Sequence, residues 1–126
     1  MKTTIKPILS VRNGAAAIAF YNKAFGAIEI MRVESPDGTL VAELSVDGAP
    51  FFLSDESPEH GNFSPETIGG NSVRMELSVV DPDTLFINAL AAGAIEIYPV
   101  ADQDYGYRLG RLADPFGHHW EIGRPL

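Results

Sequence analysis

The sequence predicts an α+β protein in which two tandem βαβββ modules form a curved mixed sheet around a cleft, with the helices on the outer face. Three observations predict it. Strand-like and helix-like segments follow one another in the same order twice. The stretch Gly26-Ala27-Ile28-Glu29-Ile30 returns 67 residues later as Gly93-Ala94-Ile95-Glu96-Ile97, each time directly after a predicted helix. The same offset carries the turn at Asp47 onto the turn at Asp114. Five identical residues at matching places mark a duplicated unit. One domain therefore spans residues 1–126, with module one at 1–54, a connecting loop at 55–71 and module two at 72–126.

Thr3 to Val11 alternates loosely and reads as a strand, with Pro7 confined to an end, an edge or a bulge because it cannot donate to a ladder. Asn13 is a helix N-cap. Ala17, Phe20, Tyr21, Ala24 and Phe25 then recur at three- and four-residue spacing until Gly26 stops the helix. Ala27 to Glu34, Thr39 to Val46 and Phe51 to Ser54 are strands, separated by the turns Ser35-Pro36-Asp37-Gly38 and Asp47-Gly48-Ala49-Pro50. Asp55 to Asn71 is rich in Pro, Gly, Ser and acidic residues and has no periodicity, so it reads as a loop able to cover a site. Ser72 to Val80 is a strand, Asp81 with Pro82 opens a helix that closes at Gly93, and Ala94 to Val100 is the next strand. Tyr107 to Ala113 and His118 to Gly123 finish the chain around Asp114-Pro115-Phe116-Gly117.

Composition removes several function classes. There is no cysteine, which excludes disulfides, thiolate zinc sites and cysteine nucleophiles. A formal net charge of −8 argues against nucleic acid as a partner. No run of about 18 apolar residues exists, which argues against a membrane span. The opening MKTTIKPILS lacks the unbroken apolar region of a secretory signal, so the expected location is cytoplasmic.

The motifs narrow the reading further. Phe20-Tyr21 with Phe25-Gly26-Ala27, the stretch Tyr105-Gly106-Tyr107-Arg108-Leu109-Gly110-Arg111, Asp114-Pro115-Phe116-Gly117-His118 and Trp120 resemble the PhnB-like, glyoxalase-like branch of the vicinal oxygen chelate superfamily. That superfamily includes glyoxalase I, bleomycin- and fosfomycin-resistance proteins and extradiol dioxygenases. Tyr107 departs from the branch's usual pattern, which has aspartate there. In the metal-using members of that superfamily, the ligands come from the first and last strands of each module. Carried onto this chain, those positions are Lys6, Ser54, Arg74 and Glu121. Glu121 alone among them is a good ligand, and lysine and arginine repel a cation. No cofactor is therefore expected; a divalent metal, if present, would take Glu121 and His119.

Strand alternation assigns the rest. Val73, Met75, Leu77 and Val79 face the helices, leaving Arg74, Glu76 and Ser78 on the opposite face. On the last strand, His118 and Trp120 serve the fold while His119 and Glu121 face the cleft. The expected ligand-binding set is Lys6, Phe52, Ser54, Arg74, Glu76, His119 and Glu121, with Glu121 the candidate catalytic carboxylate. The expected function is binding of a small polar or anionic molecule in the concave cleft by a homodimer without a catalytic metal. Two alternatives are a metal-dependent lyase, isomerase, dioxygenase or thiol transferase with residues 55–71 as a lid, and a dimeric interaction domain with no small ligand.

Overall fold

The computed structural model describes residues 1–126. Module one runs β1 (Ile8–Val11), α1 (Gly14–Phe25), β2 (Ile28–Glu34), β3 (Leu40–Val46) and β4 (Ala49–Asp55). Module two runs β5 (Arg74–Ser78), α3 (Pro82–Ala92), β6 (Ile95–Asp102), β7 (Tyr107–Ala113) and β8 (His119–Pro125). Each gives a four-stranded mixed sheet, ordered β1-β4-β3-β2 in the first and β5-β8-β7-β6 in the second. In both, the opening strand pairs in parallel with the closing one and the remaining pairs are antiparallel.

The duplication extends to irregularities. β2 carries a register shift between Glu29 and Met31, and β6 carries one between Glu96 and Tyr98, the same place in the repeat. Both helices are capped as their sequences require. The Asn13 side chain accepts from the Ala16 amide and Asp81 accepts from that of Thr84, satisfying amides that the first turn leaves free. Gly26 ends α1 in the left-handed region at φ 70°, which only glycine adopts without strain.

The connecting segment is more ordered than its composition predicts. It contains a 3-10 turn at Pro58–His60 and a short helix, α2 (Pro65–Ile68), capped by the buried hydroxyl of Ser64. Glu56 fixes it by accepting from the Ser64 amide and the Thr67 hydroxyl. Asn71 donates to the Gly117 carbonyl at 2.9 Å, tying its far end to the turn before β8.

One continuous core joins the modules. α1 lies on β3 and β4, α3 on β6, β7 and β8, and the two helices contact each other. Leu9, Val11, Leu44, Leu53, Leu77, Leu112 and Ile122 turn inward from the strands. Val73 precedes β5 and is 64% exposed, lining an open hollow with Leu9, His118 and Ile68 of α2. Tyr21 and Phe25 from α1 and Phe51 from β4 surround Trp120 of β8 with ring centroids 4.9–5.5 Å apart. At the centre sits Asp114, 3% exposed. Its Oδ1 accepts from the amides of Phe116 and His118, and its Oδ2 accepts from Tyr21 Oη and Trp120 Nε1. His118 completes the join, its Nε2 lying 2.9 Å from the carbonyl of Ser10 on β1. Both of the last strand's fold-serving residues thus span the modules.

Candidate functional site

Each sheet turns one face to its helix and leaves the other open. On the second sheet, ladder register sets Arg74 beside His119, Glu76 beside Glu121, and Arg111 on the other side of Glu121. These side chains share the open face, because Met75, Leu77, Trp120, Ile122 and Leu112 occupy the helix face. Glu121 is the hub. Its Oε1 accepts from Arg111 at 2.9 Å and lies 3.3 Å from Arg74 Nε. Arg111 also lies over the Tyr98 ring, 5.4 Å from its centroid, and its Nε is buried without an acceptor. Tyr107, standing in place of the usual aspartate, bonds Ser78 at 2.6 Å and so links the two strands flanking β8.

The open face of the first sheet carries Lys6, Ile8, Ser10, Phe52, Ser54 and Glu43. Lys6 donates to Glu43 at 2.8 Å and lies over the Phe52 ring. Ser54 is only 8% exposed and lines a separate polar hollow with Asp37, Asp55, Glu59 and His60.

The predicted ligand-binding residues thus form two groups. Arg74, Glu76, His119 and Glu121 share one face, while Lys6, Phe52 and Ser54 share the other. None of the five principal cavities combines a member of one group with a member of the other. Register also revises the equivalence of Lys6 with Arg74. Phe52 and His119 are 67 residues apart, and their parallel partners are Ile8 and Arg74. Ile8 is therefore the counterpart of Arg74, and Lys6 precedes the strand.

Arg111 is the site residue that the sequence reading missed. The signal was present, since Leu109, Arg111 and Ala113 alternate with Gly110 and Leu112 along β7. The assembled residues do not fit a divalent metal: two guanidinium groups occupy the carboxylate that would have been its best ligand. Nowhere do three His, Cys, Asp or Glu side chains come together in a group that could hold a metal ion. No helix is long and apolar enough to cross a membrane.

This architecture and these motifs have counterparts among known proteins. Residues 8–123 match the family described as a glyoxalase-like domain. An uncharacterized protein of Mycobacterium bovis is 42% identical over 130 aligned positions, covering 100% of this chain and 86% of that protein. The crystal structure of an Arabidopsis thaliana gene product superposes with a TM-score of 0.71 at 28% identity, covering 96% of both chains. The PhnB protein of Bacillus cereus shares the fold at 19% identity, with a TM-score of 0.71 and coverage of 97% of this chain and 99% of its own. With its paired βαβββ modules and Asp-Pro-Phe-Gly-His turn, the chain belongs to the glyoxalase-like domain family.

Proposed function

We propose that this chain binds a small polar or anionic molecule against the open face of its second sheet, as a homodimer and without a catalytic metal. The donor set carries the reading. Where a metal-using relative needs neutral or anionic ligands, this face presents Arg74, Arg111 and His119 around one carboxylate. Cationic donors organise an anion and repel a divalent metal. Elemental analysis of protein purified without chelator should find zinc, nickel, manganese and iron well below stoichiometric. Stoichiometric metal that disappears in Glu121→Ala would sink the metal-free reading.

The surface supports the homodimer. A 13.6 kDa monomer is expected to expose about 6,600 Å², whereas this chain exposes 7322 Å². Apolar side chains lie exposed on the outermost strands: Ile28, Ile30 and Val33 on β2, and Ile95 on β6, are 52–65% exposed. Long apolar edge strands are a hazard unless paired or covered.

A second copy is the occupant that matches two such edges related by internal repetition. It would also let the first face of one chain roof the second face of its partner, bringing Lys6, Phe52 and Ser54 to the other four. Sedimentation equilibrium should give twice 13.6 kDa, and Val33→Glu with Ile95→Glu should weaken association by about 30-fold or more, the scale of an interface hot spot. A wild-type protein that stays monomeric at micromolar concentration would overturn the dimer.

A further inference from the structure

We infer that Arg74, Arg111 and His119 seat the oxyanion of a small molecule whose flat apolar body lies against Tyr98 and Tyr105. This names the ligand class for the small-molecule reading above and rests on it.

Charge distribution is the first argument. The chain has 17 acidic residues against 9 lysines and arginines, so cations here are usually outnumbered by carboxylates. Arg12 contacts both Glu56 and Glu66, Arg32 both Glu29 and Glu34, and Arg108 both Asp83 and Asp102. Arg74 and Arg111 reverse that ratio, sharing the single carboxylate of Glu121. Glu76, one step along the strand, contacts neither of them and lines neither of the cavities described next.

Unused donors are the second argument. Arg111 makes one hydrogen bond with its guanidinium, to Glu121, although the group carries five N–H donors. Its Nε is the one buried side-chain polar atom in the chain without a partner, and such a group calls for a physical explanation. Neither the Arg74 guanidinium nor the His119 ring makes a hydrogen bond; Arg74 has only its ionic contact with Glu121.

Cavity shape supplies the third. A hollow of about 330 Å³ is lined by Gly70, Asn71, Ser72, Arg74, Arg111 and His119, with no apolar residue among them. A second, of about 430 Å³, meets it at Arg111 and is lined by Tyr98, Pro99, Tyr105 and Leu109 together with Glu121. Glu121 repels an anion from the second hollow, so the charged group belongs in the first and the body in the second. Guanidinium forks suit a carboxylate or a phosphoryl group equally, and the tyrosines suit a flat ring.

Calorimetric titration of the purified protein at fixed ionic strength tests the assignment with five probes. Benzoate and phenylphosphonate carry ring and oxyanion, acetate and inorganic phosphate carry the oxyanion alone, and benzamide carries the ring without charge. Either ring-bearing anion should bind at least about tenfold more tightly than its ringless counterpart, and benzamide should bind least; the better of the two anions identifies the oxyanion. Arg74→Gln, at a half-exposed side chain that can be lost without unfolding, should weaken the preferred anion at least about tenfold, as should Arg111→Gln with its circular dichroism unchanged. Tyr105→Ser should weaken the ring-bearing anion and leave its ringless counterpart unaffected.

Benzamide binding as tightly as benzoate, or an Arg74→Gln protein that binds normally, would overturn the inference. A neutral polar fragment whose binding is lost in Glu76→Ala, on the same face but outside the two hollows, with all five probes silent, would keep the small-molecule reading and remove this assignment. Silence of fragments and probes alike would remove both.

Discussion

Asp114→Ala should lose about 3–5 kcal/mol of stability, a large part of what a domain of this size possesses. The carboxylate is 3% exposed and accepts four hydrogen bonds, two from backbone amides and two from Tyr21 and Trp120. Alanine strands all four donors in a dry core, at a cost of about 1–3 kcal/mol each before relaxation. Tyr21→Phe removes a single donor and leaves the carboxylate three, so its expected cost is nearer 1 kcal/mol. Urea unfolding followed by both circular dichroism and Trp120 fluorescence measures each. A loss below about 1 kcal/mol for Asp114→Ala would mean that water replaces the carboxylate.

The same network has a pH signature. Burial, then the neighbouring Asp114 charge, pushes the Tyr21 phenol well above its ordinary value. A raised folded value means that the proton is held more tightly in the native state. The contribution is complete below the unfolded tyrosine pKa of about 10 and is lost progressively as pH rises past it. Wild-type protein should therefore lose stability above about pH 10 more steeply than Tyr21→Phe does.

Much of this architecture was legible because its signals are local. Helix caps, the turns at Gly38 and Gly48 and the alternation of β8 depend on neighbouring residues alone, and the Gly-Ala-Ile-Glu-Ile repeat identifies the duplication; the matched register shifts within it are visible only in the structure. His118 and Trp120 fell on the helix face as alternation required. What escaped was set at a distance. Lys6 aligns with Arg74 only if the first strand reaches back to Thr3, as its loose alternation suggests, whereas the β1–β4 ladder starts at Ile8. Helix α2 had a visible start in Ser64-Pro65, but the surrounding prolines and glycines masked it. The division of the candidate site between two faces depends on how the modules sit together, which no stretch of sequence encodes by itself. Arg111 escapes for a different reason: it lies on β7, whereas the ligand positions that the resemblance supplies lie on the first and last strands of the module.

Gly123→Ala should be nearly as damaging as the loss of Asp114, although it adds one methyl group. A Cβ at this position would collide with the Arg108 carbonyl oxygen and lie 2.7 Å from Leu109 Cβ, both on the adjacent strand β7. Backbone cannot swing aside as a side-chain tip can. β8 is also held from its other edge, where Ser78 pairs with Gly123 and the Val79 amide donates to the Gly123 carbonyl. The strand must therefore part from β7 or strain both ladders, at a cost of about 3 kcal/mol. Glu121 lies two residues earlier on this strand and bonds Arg111 on β7, so the same displacement pulls the hub of the open face apart. Anion binding should fall together with stability in Gly123→Ala. Gly70→Ala is the comparison, since a Cβ there meets nothing within 4 Å and should change stability by no more than about 0.5 kcal/mol. If urea unfolding finds the two variants equally stable, β7 and β8 are looser than their register indicates, and the rigid placement of Arg111 beside Glu121 falls with them.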